Sequence, residues 1–181
     1  MTILCDLAAK YGTDKGVTGH PVSRRYTAVY AELMRFPIRT LLEIGIYEGW
    51  SLHMWEEYLP EAQIYGIDSD TSRLINTDRI HSYYANQNNS ESMVAAIENM
   101  GKPMDFIVDD GSHELAHQIS SANILVPYLT DNGVYVIEDI RTTDIPFVRG
   151  SVKFPSHTIR TGVLDTSNLI IIHAPKESAH R

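Results

Sequence analysis

One stretch in the first third of the chain constrains the fold more than any other. Residues 40–46 form a largely apolar run, and glycines stand at its end and four residues later, at Gly45 and Gly49. The next segment, 51–59, has apolar residues at helical spacing and begins with Ser51, a residue typical of helix N-caps. This pattern predicts a strand, a tight turn and a helix, with glycines that let a ligand approach the backbone closely.

Segments with strand-like and helix-like periods alternate along the rest of the chain. Strands are predicted at 41–46, 63–68, 80–85, 104–109, 133–138, 152–160 and 169–173. Helices are predicted at 3–11, 22–36, 51–59 and 91–100, weakly near 71–77, and along the apolar stripe Leu115, Ile119, Ala122, Val126 and Leu129. This alternation of strands and helices predicts an α/β fold: a doubly wound, mostly parallel seven-stranded sheet with a short N-terminal helical segment. We expect one domain over 1–181, with a helical or lid segment at 1–36 and a Rossmann-like core at 40–181.

The spacing of glycines and acids narrows the ligand class. Glu43-x-Gly45-x-x-x-Gly49 lacks both the Gly-x-Gly-x-x-Gly turn of dinucleotide sites and the Gly-Lys-Ser/Thr of triphosphate sites. A ligand without phosphates is therefore favoured. A second acid, Asp68, ends the next predicted strand. Together these features resemble the S-adenosylmethionine site of class I methyltransferases, with a glycine-bearing turn in an ordinary α/β protein as the alternative.

Composition excludes several other classes. With 181 residues, 43% of them hydrophobic, the chain can bury a core of its own, and it has no apolar run near the length of a membrane span. The N-terminus has neither a basic leader nor an extended apolar region, so a cytoplasmic protein is expected. A net charge of −8 without a Lys/Arg cluster argues against nucleic acid as a partner and favours a small molecule. The lone Cys5 is given no role, and homo-oligomerisation stays open.

Acidic residues end two further predicted strands. Asp109 and Asp110, with His113 close behind, follow the fourth strand, and Glu138 and Asp139 end the fifth. Neighbouring parallel strands lie about 4.8 Å apart, and ligands bind at their carboxyl ends, so these acids can meet there. Unpaired carboxylates would repel one another, and a divalent cation would remove the repulsion. An all-oxygen set favours Mg²⁺, or Mn²⁺ in its place, over zinc.

Other interpretations of these residues stay open. The two aspartates could cap the next helix while Glu138 pairs with Arg141. The run from His113 to His117 also satisfies the His-Glu-x-x-His pattern of zinc metalloproteases. That motif needs a helix that presents its middle, whereas His113 stands at the very start of one. We favour His113 as a general base, because an imidazole can accept a proton near neutral pH. For His117 we favour a structural role.

A polar loop, Tyr11–Gly16, separates the two predicted N-terminal helices. Its hydrogen-bonding side chains precede the first core strand. The loop could fold over the crevice or be a solvated connector, and the residues alone do not decide between the two.

Taken together, these stretches resemble the metal-dependent sugar O-methyltransferases of macrolide and related glycoside biosynthesis, the mycinamicin-type enzymes. The resemblance spans nearly the whole chain. It rests on Lys10-Tyr-Gly-Thr-Asp-Lys15, Leu42-Glu-Ile-Gly45, Ser51-Leu-His-Met-Trp55 with Tyr58 and Pro60, Ile64-Tyr-Gly-Ile-Asp68, Asp109-Asp-Gly-Ser-His113 and Tyr135-Val-Ile-Glu-Asp139. Where such enzymes carry Gly-Asp-Gln-Ser-Asp, this chain has Ala85-Asn-Gln-Asn-Asn89 and keeps only the glutamine.

The resemblance implies methyl transfer from S-adenosylmethionine to a hydroxyl of a small molecule, a sugar of a glycosylated natural product. It implies Mg²⁺ on Asp110, Glu138 and Asp139, with His113 as the catalytic base and Asp110 in reserve. The expected cofactor residues are Glu43 and Gly45 at the methionine end, Asp68 on the ribose, Gln87 and Asp109 near the adenosine, and also Tyr47 and Ser51. Two alternatives remain, a zinc hydrolase using His113 and His117 and a non-catalytic S-adenosylmethionine-binding module.

Overall fold

A computed structural model describes residues 2–17, 24–161 and 168–175. Its α-helices are α1 (Ile3–Tyr11), α2 (Thr27–Leu33), α3 (Trp50–Tyr58), α4 (Ser90–Met100), α5 (Leu115–Leu125) and α6 (Ile145–Ser151). Its strands are β1 (Thr40–Ile44), β2 (Gln63–Asp68), β3 (Ile80–Tyr84), β4 (Met104–Asp109), β5 (Leu129–Ile137), β6 (Ser156–Arg160) and β7 (Asn168–His173).

The strands form one seven-stranded sheet in the order β3-β2-β1-β4-β5-β7-β6. The first five strands pair in parallel, and β7 pairs antiparallel with both β5 and β6. The strand order reverses beside β1, so β1 and β4 leave the crevice between them where ligands bind in open α/β sheets. The predicted doubly wound, mostly parallel sheet is confirmed.

Helices cover both faces of the sheet, as the continuous apolar strands require. Successive residues of β1 point to opposite sides. Leu41 joins the core under α1, α2 and α3, which includes the fully buried Trp55. Leu42 and Ile44 join the second core, under α4, α5 and α6. Because Glu43 lies on the Leu41 side of β1, its charge is directed into the first core.

Several predicted element boundaries are wrong, each for a local reason. The long apolar stripe continues as helix only to Leu125, because Pro127 has no N–H to donate and clashes with the preceding turn, so Leu129 begins β5. The weak helix near 71–77 is a single 3₁₀ turn at Thr71–Arg73. Helix α6 directly precedes the segment predicted as strand 152–160 and was not predicted, and the strand itself begins only at Ser156.

The N-terminal helices differ in how well they were predicted. α1 ends at Gly12, which adopts a left-handed conformation at the helix end, as expected. α2 is shorter than the predicted 22–36, of which residues 22 and 23 lie outside the described part. At α3 the N-cap is Gly49, so Ser51 lies inside the first turn and does not cap the helix. The division into a lid segment and a core stays a prediction.

In the part of the chain that the structure describes, no helix is both long and apolar enough to cross a membrane.

Candidate active site

A cavity of about 660 Å³ opens at the carboxyl ends of the parallel strands. Its walls come mainly from the loops after β1, β2, β3 and β4, and Thr13 and Asp14 of the Tyr11–Gly16 loop also line it. The predicted site residues that line it are Gly45, Tyr47, Ser51, Asp68, Gln87, Asp110 and His113. The remaining predicted residues are buried and do not form its wall: Glu43, Asp109, Glu138 and Asp139. The cavity therefore brings the predicted cofactor loop together with Asp110. We call Asp110, Glu138, Asp139 and Glu43 the acidic cluster.

The turn after β1 requires glycine for two separate reasons. Gly45 has a φ of +91°, in the region that L side chains rarely adopt. A Cβ atom placed there would lie 2.2 Å from the backbone oxygen of Asp110, in the loop after β4. The glycine thus lets the loops of the cofactor strand and of the acidic strand approach each other.

Replacing Gly45 with alanine should lower the free energy of unfolding by about 2–4 kcal/mol, because both the backbone conformation and the Asp110 loop must change. Gly101→Ala is the matched control. Gly101 also has a positive φ, of +64°, yet a Cβ atom placed there would meet no atom of the described residues within 4 Å. That variant should lose only about 1 kcal/mol. Chemical denaturation of both variants measures the difference, and equal losses would show that the close approach has no energetic consequence.

Asp68 organises the turn that faces it. One of its oxygens accepts hydrogen bonds from the backbone N–H groups of Ile46 and Tyr47, at 2.9 and 3.3 Å, and the other accepts from Asp70 at 2.9 Å. Tyr47 itself has a φ of +51° and a 64% exposed side chain, and the Arg73 guanidinium lies 5.0 Å from the centre of its ring. The carboxylate therefore holds the turn as well as facing the cavity.

Asp109 is buried behind the cavity wall. Its carboxylate accepts hydrogen bonds from Gln87 at 2.8 Å and from the Tyr135 hydroxyl at 2.9 Å. Burial raises its pKa to about 6, although these donors favour the charged form. Gln87 also accepts the backbone N–H of Ser112 at 2.8 Å. In this structure Gln87 and Asp109 fix the loop that carries Asp110, while Gln87 also forms part of the cavity wall.

A lysine that the sequence did not single out lies at the centre of the acidic cluster. Lys15 is fully buried, and its ammonium lies 2.5 Å from Asp110, 2.9 Å from Glu138 and 3.2 Å from Glu43. Burial opposes the charge of Lys15, but the three carboxylates hold its pKa well above the usual value. The Tyr11–Gly16 loop is therefore not a solvated connector, because Lys15 reaches beneath the site while Thr13 and Asp14 of the same loop line the cavity.

The two acids at the end of β5 are held by α2 and the residues before it. The Tyr30 hydroxyl donates to Glu138, and the Tyr26 hydroxyl donates to Asp139 at 2.6 Å. The Arg24 guanidinium lies 2.8 Å from the other Asp139 oxygen. Burial raises the pKa of both carboxyls above the usual range, against the effect of these partners on Asp139 and of Lys15 on Glu138. Glu138 is thus not paired with Arg141.

His113 lies between the two strand ends. Its Nε2 is 3.8 Å from Asp110 and 4.0 Å from Asp139, and the imidazole is partly exposed to the cavity. Its backbone φ is +56°, and Asp139 has one of +57°; such strained residues concentrate at functional sites. His113 precedes α5, whereas His117 lies within it and contacts Ser112 at 2.8 Å. The two histidines therefore do not share a helix face as the zinc motif requires.

The residues present fit a divalent cation. Ligand atoms of Asp110, His113 and Asp139 all lie within 4.8 Å of one another. Around them, two side-chain cations, Lys15 and Arg24, face five carboxylates, those of Asp14, Glu43, Asp110, Glu138 and Asp139, so negative charge is in excess. A dication would offset most of that excess. Glu138, the third predicted oxygen ligand, has its two oxygens in contact with Lys15 and Tyr30 here.

Sequence reasoning missed the residues that surround the acids from outside the sheet. These are Lys15, Arg24, Tyr26 and Tyr30, all N-terminal to β1. Only Lys15 could have been singled out from the sequence, because it is the last residue of Lys10-Tyr-Gly-Thr-Asp-Lys15, a stretch on which the family resemblance rests. Nothing in the local spacing of the other three indicated contact with strand ends that lie about a hundred residues further along the chain.

Comparisons with known proteins identify the family. Residues 42–140 match a family model described as a methyltransferase domain. The chain is 35% identical, over 80% of its length, to the 8-demethyl-8-(2-methoxy-alpha-L-rhamnosyl)-tetracenomycin-C 3'-O-methyltransferase of Streptomyces olivaceus, of which it covers 38%. It is 33% identical, over 79% of its length, to the mycinamicin VI 2''-O-methyltransferase of Micromonospora griseorubida, of which it covers 37%.

A solved structure shares the fold. The MycE methyltransferase of the mycinamycin biosynthetic pathway, in complex with Mg, SAH and mycinamycin VI, matches with a TM-score of 0.72 and 25% identity, over 98% of this chain and 55% of that one. The chain thus spans only about two-fifths of the curated relatives named above and about half of the solved structure. The family match covers more than half of the chain, and the chain belongs to the methyltransferase domain family.

Proposed function

We propose that this chain is an S-adenosylmethionine-dependent and Mg²⁺-dependent O-methyltransferase that acts on a hydroxyl of a small molecule, a sugar of a glycosylated natural product. One observation carries the proposal: a single cavity is lined by the glycine turn and Asp68 on one side and by Asp110 and His113 on the other. The names of the similar proteins, a 3'-O-methyltransferase of a rhamnosyl-tetracenomycin-C compound and a 2''-O-methyltransferase of mycinamicin VI, support the acceptor class.

In this proposal S-adenosylmethionine lies along the β1 and β2 ends, with Gly45, Tyr47, Ser51 and Asp68 in the wall beside it. Glu43 and Asp109, expected as cofactor contacts, act from behind the wall. Glu43 accepts from the Trp55 indole at 3.0 Å and lies beside Ser51, so its effect on the cofactor is through the shape of the turn.

Asp110 and Asp139 would hold Mg²⁺, with Glu138 as the third ligand if it releases its present partners. Mg²⁺ bound there supplies Lewis-acid polarisation, which makes a sugar hydroxyl more acidic. His113, beside both aspartates and open to the cavity, is placed to remove the hydroxyl proton. The hydroxyl oxygen would then form a bond to the methyl carbon as the S–CH3 bond of the sulfonium breaks, which leaves a neutral thioether. Correct orientation of the two groups can supply roughly 7–11 kcal/mol of the barrier reduction.

The proposal places the enzyme in the cytoplasm, with no nucleic acid or membrane as partner, and leaves homo-oligomerisation as a hypothesis. The zinc-hydrolase alternative is not favoured, because His113 and His117 are not on one helix face and the similar proteins are methyltransferases. Calorimetric titration with S-adenosylmethionine, Mg²⁺ and Zn²⁺ tests all three alternatives. Binding of the first two supports the proposal, binding of zinc alone supports a hydrolase, and cofactor binding without metal supports an inert module.

Within the same titration, Asp68→Ala should weaken S-adenosylmethionine binding by roughly 10- to 150-fold, because a charge-assisted hydrogen bond to the ligand is worth about 1.5–3 kcal/mol and the turn also loses its anchor. Asp78→Ala is the control, since Asp78 is exposed and is not among the described residues of the cavity wall. Equal dissociation constants for Asp68→Ala and the control would remove Asp68 from the cofactor site.

A further inference from the structure

Lys15 joins three neighbouring strands from outside the sheet. Its ammonium contacts Glu43 in β1, Asp110 after β4 and Glu138 after β5, and no part of the residue is exposed. The backbone of Lys15 is fixed as well, because its carbonyl accepts the N–H groups of Tyr26 at 2.9 Å and Thr27 at 3.2 Å. A lysine held in this way cannot act as a mobile cover of the site.

The contacts show what Lys15 does for the acids. The other described side-chain donors to Glu43 and Glu138 are neutral: the Trp55 indole and the Ser51 hydroxyl for Glu43, and the Tyr30 hydroxyl for Glu138. Removing the ammonium would therefore leave Glu43 and Glu138 without a cationic partner among the described side chains, and they are almost completely buried. Buried carboxylates without a counter-charge repel one another and are strongly destabilising.

We propose that Lys15 is an internal counter-cation, a positioning residue that keeps Glu43, Asp110 and Glu138 assembled before a metal binds. The part of this inference that concerns metal binding rests on the proposed function. The protein can then fold with its acidic site already formed, and the dication arrives at a site whose charge is only partly balanced. The lysine and the dication are neighbouring positive charges that share Asp110. Each therefore reduces the repulsion among the carboxylates that the other would otherwise have to neutralise.

The test is thermal unfolding of Lys15→Met in EDTA and in saturating Mg²⁺, with Lys10→Met as the matched control. Methionine keeps an unbranched side chain of similar length, and Lys10 is an exposed lysine of the same segment that pairs with Glu57. In EDTA the Lys15→Met midpoint should fall by about 10 °C, and the control midpoint by far less. Saturating Mg²⁺ should raise the Lys15→Met midpoint several times more than it raises that of the wild type.

A charge-balanced variant keeps the inference testable if Lys15→Met does not fold. The double variant Lys15→Met with Glu43→Gln removes one buried negative charge together with the positive one, so it should unfold at a higher temperature in EDTA than Lys15→Met, or fold where Lys15→Met does not. A wild-type midpoint for Lys15→Met in EDTA overturns the inference. So does a double variant that is no more stable than the single one.

The same experiment separates this inference from the proposed function. If calorimetry shows Mg²⁺ binding to the wild type but Mg²⁺ stabilises Lys15→Met no more than the wild type, Lys15 is only a structural ion pair and the inference is overturned. If the wild type binds no Mg²⁺, the metal dependence of the proposed function fails. In that case a higher unfolding temperature for the double variant than for Lys15→Met still supports Lys15 as a counter-cation. A double variant that is no more stable overturns the inference.

Discussion

Replacing Asp110 with asparagine should reduce Mg²⁺ affinity by more than roughly 100-fold, because loss of even an outer-shell partner of a metal typically costs 10- to 100-fold. Asp110 lines the cavity, and its carboxylate lies in the group of potential ligands with His113 and Asp139. Asparagine keeps the size of the side chain and removes its charge. Methyl transfer to the small-molecule acceptor of the proposed function should be abolished, while calorimetry should find S-adenosylmethionine affinity little changed.

Asp131→Asn is the control for this prediction, since Asp131 is an exposed aspartate near the start of β5, at the opposite end of that strand from the site. It should behave as the wild type in both titrations. The same titration of Glu138→Gln decides whether that residue completes the metal site or only pairs with Lys15 and Tyr30. Unchanged Mg²⁺ affinity in Asp110→Asn would remove Asp110 from the metal site and leave the acids a purely structural cluster.

The sheet could be predicted because its strands carry their own signal. The central strands are buried on both faces and therefore appear as short apolar runs, as in β1 and β4, and the observed bounds of β4 are those predicted. The errors fall where a local rule competes with periodicity. Pro127 ends a helix whose apolar spacing continues beyond it. α6 has only seven residues, which include Pro146 and Gly150, so it is too short to show a helical period.

The acidic residues at the strand ends could be predicted for a different reason. Residues that directly follow neighbouring parallel strands must meet at one edge of the sheet, so Asp110 and Asp139 could be placed near each other from strand positions alone. Partners that reach this edge from α2 or from the loop before it depend on how the helices dock. Sequence spacing carries no information on that docking, and Tyr30 and Lys15 were therefore not foreseen as contacts of Glu138.

Glu43 illustrates the limit of a motif. Its position at the end of β1 predicted contact with the methionine end of the cofactor. The alternation of β1 instead turns the side chain into the core under α3, where Trp55 and Lys15 hold it. Burial raises its pKa, which Lys15 opposes. A strand-end acid can thus belong to a site through the cation it shares with the metal ligands, without facing the cavity.

His113→Ala should lower turnover by about 10²- to 10⁴-fold, the usual contribution of a general base. Its imidazole lies within 4.0 Å of both Asp110 and Asp139 and opens to the cavity, so it is placed to accept a proton from a hydroxyl held at those aspartates. Dissociation constants for Mg²⁺ and S-adenosylmethionine, measured by calorimetry, should stay close to those of the wild type. Free imidazole added to the variant should restore part of the rate.

His117→Ala is the matched control, because His117 lines the same cavity but its ring contacts the Ser112 hydroxyl and not the acids. It should retain most of the turnover, and free imidazole should not change its rate. Loss of Mg²⁺ binding in His113→Ala would instead make the histidine a ligand, as its place beside Asp110 and Asp139 also allows. The proton would then go to another group, and Asp110, which lines the cavity, is the reserve base.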